Sequence, residues 1–272
     1  MTTIKNEIKI SGKCLMDGRE SIVTVVPSDQ KGIRFYPDNS DIKIEARAEN
    51  VVSTLNCTIL GNQDKQLRVV EHFMAACAFT GIDSLDVYVS SSELPILDGS
   101  AKVWVEEFQK AGIESTDSSA RIEFYEPIIF SEGRTQIVLL PSDSFKVSYM
   151  VNFEHKDLAN RWENWDISEE TQRIVESRTF GYLKDLEKFQ KAGFALGASI
   201  DNTVGLTEDG YTVELRNKFE PINHKILDLV GDLYLTGLNP LNFNAHIIAK
   251  EAGHRTHVEF AKKIQSMLRE KV

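Results

Sequence analysis

Residues 70 to 89, Val70-Glu71-His72-Phe73-Met74-Ala75-Ala76-Cys77-Ala78-Phe79-Thr80-Gly81-Ile82-Asp83-Ser84-Leu85-Asp86-Val87-Tyr88-Val89, change their hydrophobic period half-way. Val70, Phe73, Met74, Cys77 and Ala78 recur at i, i+3, i+4, i+7 and i+8, which predicts a helix with an apolar face. Gly81 ends it, and Leu85, Val87 and Val89 then alternate as a strand. The phrase returns later in the chain. His224–Leu235 carries Ile226, Leu229, Val230 and Leu233 on one face, Gly237 follows, and Phe243, Ala245, Ile247 and Ala249 alternate.

Outward from these two units the grammar is also shared. Before the first, residues 22–26, 32–36 and 42–46 read as strands separated by proline- and aspartate-rich turns, and residues 101–111 follow it as a second helix. Before the second, strands are predicted at 121–130, 136–140 and 146–152, with helices from about Ser168 to Val175 and over Phe180–Ala192, the latter closed by Gly193. A last helix is predicted over Glu259–Leu268. The stretch from Glu114 to Ser119 is the most loop-like in the chain and marks a boundary. The expectation is an α+β fold of two sheet-plus-helix domains, residues 1–115 and 120–272. Helix–glycine–strand is a common phrase, and one echo of it leaves open whether the halves are structural repeats.

Composition narrows the function classes. Apolar residues make up 42% and charged residues 26% of 272, which suits a globular chain and not a disordered or fibrous one. Asp and Glu outnumber Lys and Arg by 41 to 31, a formal charge of −10, so the bulk field repels nucleic acid and any bound phosphate needs local groups. Three cysteines, Cys14, Cys57 and Cys77, show no C-x-x-C spacing, which argues against a disulfide framework and suits a reducing compartment. Met1 to Ile10 contains no apolar core of a signal peptide, and the longest apolar run, Phe73–Phe79, is too short to span a bilayer. A cytoplasmic protein is expected.

Four features could carry chemistry. His224, Asp228 and Asp232 stand at i, i+4 and i+8, nearly in line on one helix face. An imidazole and a carboxylate at one-turn spacing can close on a zinc ion, though the same spacing also makes an ordinary solvated ion pair. Glu71-His72 at the start of the first helix would place a base beside a metal ligand, or simply a capping glutamate before a buried histidine. Gly253-His254 lets the backbone turn tightly and aims an imidazole outward, where it could act as an acid. Thr179 and Phe180 could serve an oxyanion and a sugar face. His155, His246 and His257 have no comparable setting and read as surface or structural residues.

Taken together these motifs resemble the UDP-3-O-acyl-N-acetylglucosamine deacetylase family, LpxC. Val70-Glu71-His72-Phe73-Met74-Ala75-Ala76 is similar to its V-E-H-x-x-A-A, and Glu93-Leu94-Pro95-Ile96-Leu97-Asp98-Gly99-Ser100-Ala101 to its E-x-P-I-x-D-G-S-A. Arg178-Thr179-Phe180-Gly181-Tyr182 resembles R-T-F-G-F, and Leu196-Gly197-Ala198-Ser199 resembles L-G-G-S. The run His224-Lys225-Ile226-Leu227-Asp228-Leu229-Val230-Gly231-Asp232-Leu233 matches H-K-x-L-D-x-x-G-D-L, and Gly253-His254 the late G-H. Six motifs in order along one chain are specific where any one would be weak.

The resemblance implies two α+β domains with their helices packed together between two sheets. It implies Zn²⁺ on His72, His224 and Asp228, Glu71 as general base, and His254 as general acid steadied by Asp232. It further implies Thr179 at the oxyanion, Phe180 and Lys225 on the glucosamine, and a tunnel for the acyl chain lined by the helix after Thr179. The implied partner is one acylated amino-sugar substrate, which could bring the chain into transient contact with a membrane surface; a monomer is expected. The sequence departs from the pattern in one region. Met16 stands at the histidine of an early G-x-G-L-H-x-G, Glu251 at a lysine associated with the diphosphate, Leu140 at a basic residue, and His257 at an asparagine. Lys250 would point to the other side of a strand from Glu251. The alternatives are a paralogous zinc amidase acting on an N-acetylated amino sugar without UDP, or a sugar- or lipid-binding protein without turnover.

Overall fold

A computed structural model describes residues 1–116 and 120–269. Its helices are α1 (Glu71–Thr80), α2 (Lys102–Ala111), α3 (Gln172–Val175), α4 (Leu183–Lys191), α5 (Glu220–Tyr234) and α6 (His254–Arg269). The first main sheet runs, edge to edge, Ile8–Lys13, Glu20–Pro27, Ser84–Val89, Gly32–Tyr36 and Ile44–Glu45. The second runs Ile128–Glu132, Thr135–Pro141, Phe243–Lys250, Lys146–Val151 and Arg161–Asp166, with Ile122–Glu123 against the start of Phe243–Lys250.

The two sheets share one topology. In each, the strand that follows the long central helix inserts in the middle, antiparallel to its neighbour on one side and parallel on the other. The echo in the sequence is therefore an echo in strand order. Parallel pairing demands a crossover, and α1 and α5 supply it.

These two helices lie against each other in the interior. On α1 every residue from Glu71 to Ala78 is buried, so the single apolar face expected from the periodicity is not what forms: the helix is covered all round. Phe73 meets Phe35 of the first sheet and Trp104 and Phe108 of α2 edge-on, at ring distances of 5.5, 5.0 and 5.5 Å. Phe79 packs on Trp165 of the second sheet at 5.9 Å. On α5 every residue but Lys225 is buried. Gly231 lets α5 cross α1 closely, since a Cβ there would collide with the Glu71 carbonyl oxygen and lie 3.2 Å from the Ala75 nitrogen. The helices thus pack between two sheets in an α+β fold, as expected.

Several boundaries differ from the sequence reading. Thr179–Tyr182 is a strand paired in parallel with Thr203–Leu206, and the helix begins only at Leu183. Of the helix expected from Ser168, only Gln172–Val175 forms. The last helix starts at His254, five residues before the expected Glu259. Ile113–Ser115, partly assigned to the connecting loop, pairs with Thr2–Ile4; residues 117–119 of that loop lie outside the described residues. Arg161–Asp166 and a small sheet of Val51–Ser53, Ile59–Gly61 and Gln66–Arg68 were not anticipated.

Candidate active site

The crossing of α1 and α5 brings the singled-out residues together. His72, near the start of α1, and His224 and Asp228, one turn apart on α5, offer ligand atoms that all lie within 4.8 Å of one another. The imidazoles stand edge to face, 4.9 Å between centroids at 85°. Asp228 Oδ1 lies 3.7 Å from His72 Nε2 and 3.3 Å from His224 Nε2. That oxygen is buried and has no hydrogen-bond partner among the described residues. The other, Oδ2, accepts from Lys225 Nζ at 2.6 Å.

The donor set suits a cation. His224 Nδ1 lies 3.0 Å from the Ser177 carbonyl and donates to it, which leaves Nε2 with its lone pair facing Asp228. Burial pulls His224 down to about 4, so the ring is neutral. Burial alone would raise Asp228, but the neighbouring Lys225 and His254 cations hold it well below the carboxylate range. A buried, ionised carboxylate with one oxygen bare between two imidazoles is an incomplete arrangement without a positive charge there.

Around this cluster stand further ionisable groups. Glu71 Oε2 accepts from the Thr58 amide at 3.0 Å, while Oε1 lies 3.9 Å from His254 Nε2. Burial raises the Glu71 carboxyl above its ordinary value. His254 heads α6, where the helix dipole disfavours a cation. Burial also opposes the charge, yet Asp232 at 2.9 Å from Nδ1, with Asp228 beyond it, lifts His254 to about 9. Asp232 itself takes three donors: Thr58 Oγ1 at 2.6 Å on Oδ1, and the Nδ1 atoms of His254 and His257, each at 2.9 Å, on Oδ2. Against its own burial, those histidines keep it ionised.

A cavity of about 260 Å³ opens over these groups, lined among others by Glu71, His72, Thr179, Phe180, Lys225 and His254. Thr179 is fixed by its amide, which donates to the Gly99 carbonyl at 2.7 Å. The Phe180 ring stands edge-on to Phe153 at 5.3 Å and to His224 at 6.1 Å. Thr179, Phe180 and Tyr182 also line an adjoining cavity of about 440 Å³, whose walls include Met16, Leu186, Phe194 and Ile200. Met16 therefore turns an apolar side chain into this second cavity, and Leu186 and Phe189 of α4 line it too.

The chain matches the family model described as "UDP-3-O-acyl N-acetylglycosamine deacetylase" over residues 1–266. It belongs to the LpxC family. A relative of that name in Leptospira biflexa is 36% identical over 274 residues, covering 98% of this chain and 90% of the relative. Others of the same name, in Thermodesulfovibrio yellowstonii and Trichormus variabilis, are 34% and 33% identical, covering 96% and 97% of this chain and 90% and 98% of the relatives. The likeness runs nearly end to end, so both helices of the site fall within it.

Glu71, His72, Thr179, Phe180, His224, Lys225, Asp228 and His254 all line the cavity over this centre, and Asp232 stands behind His254. Three that matter to it were not singled out for chemistry. Thr58 bridges Glu71 and Asp232, and His257, with Tyr149 behind it, holds Asp232 from the far side. Once α6 is known to start at His254, the i,i+3 spacing of His254 and His257 puts both imidazoles on one side of the helix. With a start expected at Glu259, that signal was hidden.

Proposed function

We propose that this chain is a zinc-dependent N-deacetylase that hydrolyses the N-acetyl group of UDP-3-O-acyl-N-acetylglucosamine in lipid A biosynthesis. The observation that carries the zinc assignment is the bare, buried Asp228 Oδ1 facing two imidazole nitrogens. His72, His224 and Asp228 would hold the ion. A donor set of two imidazoles and one carboxylate is one that hydrolytic zinc sites use. Zinc there supplies a Lewis acid that polarises the amide carbonyl and acidifies water.

The protein supplies the proton traffic. Glu71, ionisable but raised by burial, takes the proton of the attacking water. His254, kept charged by Asp232, gives a proton to the departing amine, without which an amide does not expel its nitrogen. Thr179 donates to the developing oxyanion. Phe180 packs on the glucosamine, and Lys225, besides its bond to Asp228, contacts the sugar. The 440 Å³ cavity receives the acyl chain.

All of these groups come from one polypeptide, divided as 1–115 and 120–272, which supports a monomer. No helix among the described residues is long and apolar enough to cross a membrane. The proposed place in lipid A biosynthesis goes with a cytoplasmic enzyme that meets the membrane surface transiently. Acetate release decides the reading. Zinc-loaded protein is expected to release acetate from the UDP-linked acylated sugar. Release only from acylated N-acetylglucosamine lacking UDP would replace this substrate with the simpler sugar. No release from either sugar, with zinc bound, would overturn catalysis.

A further inference from the structure

Asp232 is held at more points than a partner for one imidazole requires. Its Oδ1 takes the Thr58 hydroxyl, and its Oδ2 serves both His254 and His257, which fills the two lone pairs of that oxygen. His257 is completely buried and gripped at both ends of its ring. A carboxylate only accepts, so Nδ1 of His257 carries the proton toward Asp232, while Nε2 at the other end of the ring lies 2.9 Å from the Tyr149 hydroxyl. That hydroxyl also reaches the Ala252 carbonyl at 2.8 Å, two residues before His254. One buried tyrosine thus touches both the ring behind Asp232 and the turn that presents the acid.

We propose that His257 is a positioning residue for deacetylation: its Nδ1–H pins one edge of the Asp232 carboxylate as Thr58 pins the other, so that the remaining lone pair aims His254 at the departing amine. The proposal rests on the reading of His254 as the proton donor. His257 itself lies behind Asp232 and does not line the cavity over the site.

Two substitutions separate the donor from the bulk. In His257→Asn the amide nitrogen takes the place of Nδ1 and can still donate to Asp232; in His257→Gln it takes the place of Nε2 and cannot. With zinc-loaded protein and the UDP-linked acylated sugar, the Gln variant is expected to lose about tenfold or more in kcat with KM within about twofold, while Asn stays within about threefold of wild type. In a His254→Ala background the Gln substitution should cost nothing further, because it acts through His254. Equal effects of Asn and Gln, or a Gln penalty that persists without His254, would overturn the proposal. His254→Ala at a near wild-type rate would instead remove the acid assignment on which it rests. Independently of any variant, nitrogen-15 NMR of the wild type should show His257 protonated at Nδ1; a bare Nδ1 would also overturn it.

Discussion

Gly231 of α5 sits directly against the Glu71 carbonyl of α1, with no room between them for a methyl group. It lies between Asp228 and Asp232 in sequence, and Glu71 precedes His72. This close approach of the two helices is therefore also the place where the proposed metal ligands and proton carriers are assembled.

Gly231→Ala forces α1 and α5 apart in an interior with no slack. It is expected to cost about 2 kcal/mol of stability, the usual scale of overpacking, and to weaken zinc binding by moving His72 away from His224. Chemical denaturation and competitive zinc titration measure the two effects. Wild-type values for both would show that the helices can spread without disturbing the site.

Glu71→Gln keeps the volume and an acceptor for the Thr58 amide but removes the base. The rate of acetate release should fall by about a hundredfold or more. Zinc content by elemental analysis should stay at one per chain, because the ligand cluster of His72, His224 and Asp228 does not include Glu71. A variant that loses its metal would make Glu71 a ligand and not a base.

Glu93 gives the chain a pH dependence away from the His72, His224 and Asp228 cluster. Its side chain is buried, Oε1 accepts from the Met16 amide at 2.8 Å, and Oε2 has no partner among the described residues. Burial pushes its carboxyl up to about 7 from an ordinary 4.5. A group that binds its proton more tightly when folded stabilises fully below its unfolded value, and that contribution is lost as the pH rises through the folded one. Denaturant unfolding should therefore show stability falling between about pH 4.5 and 7, by an amount on the order of 3 kcal/mol. Glu93→Gln, a permanent mimic of the protonated acid, should flatten that fall. An unchanged slope in the variant would place the titration elsewhere.

What the sequence made legible was what its period encodes. The 70–89 and 224–249 units could be read because a long helix and an alternating strand announce themselves locally. Phe180, Leu183 and Leu186 continue a helical spacing, which carries the expected helix back to Phe180, across the true boundary after Tyr182. The Thr179–Tyr182 strand exists only by pairing with Thr203–Leu206, which no local pattern shows. The strands between Val51 and Arg68 are three residues each, too short to alternate visibly. At the site, the spacing of His224 and Asp228 fitted an exposed ion pair as well as a ligand pair. Burial settled the environment: both side chains are nearly inaccessible, on a helix covered by two sheets and its neighbours. The part played by His257 was invisible because it is conferred by Asp232 on another helix and Tyr149 on a strand.

The shared strand order of the two sheets bears on how the catalytic centre keeps its dimensions. Each imidazole rides on the helix that leads into the middle strand of its own sheet, so neither half can shift without carrying one of them along. The spacing between His72 and His224 is in effect a gauge of how the halves are docked, and a cation clasped there would register, as a change in affinity, any slippage at that seam.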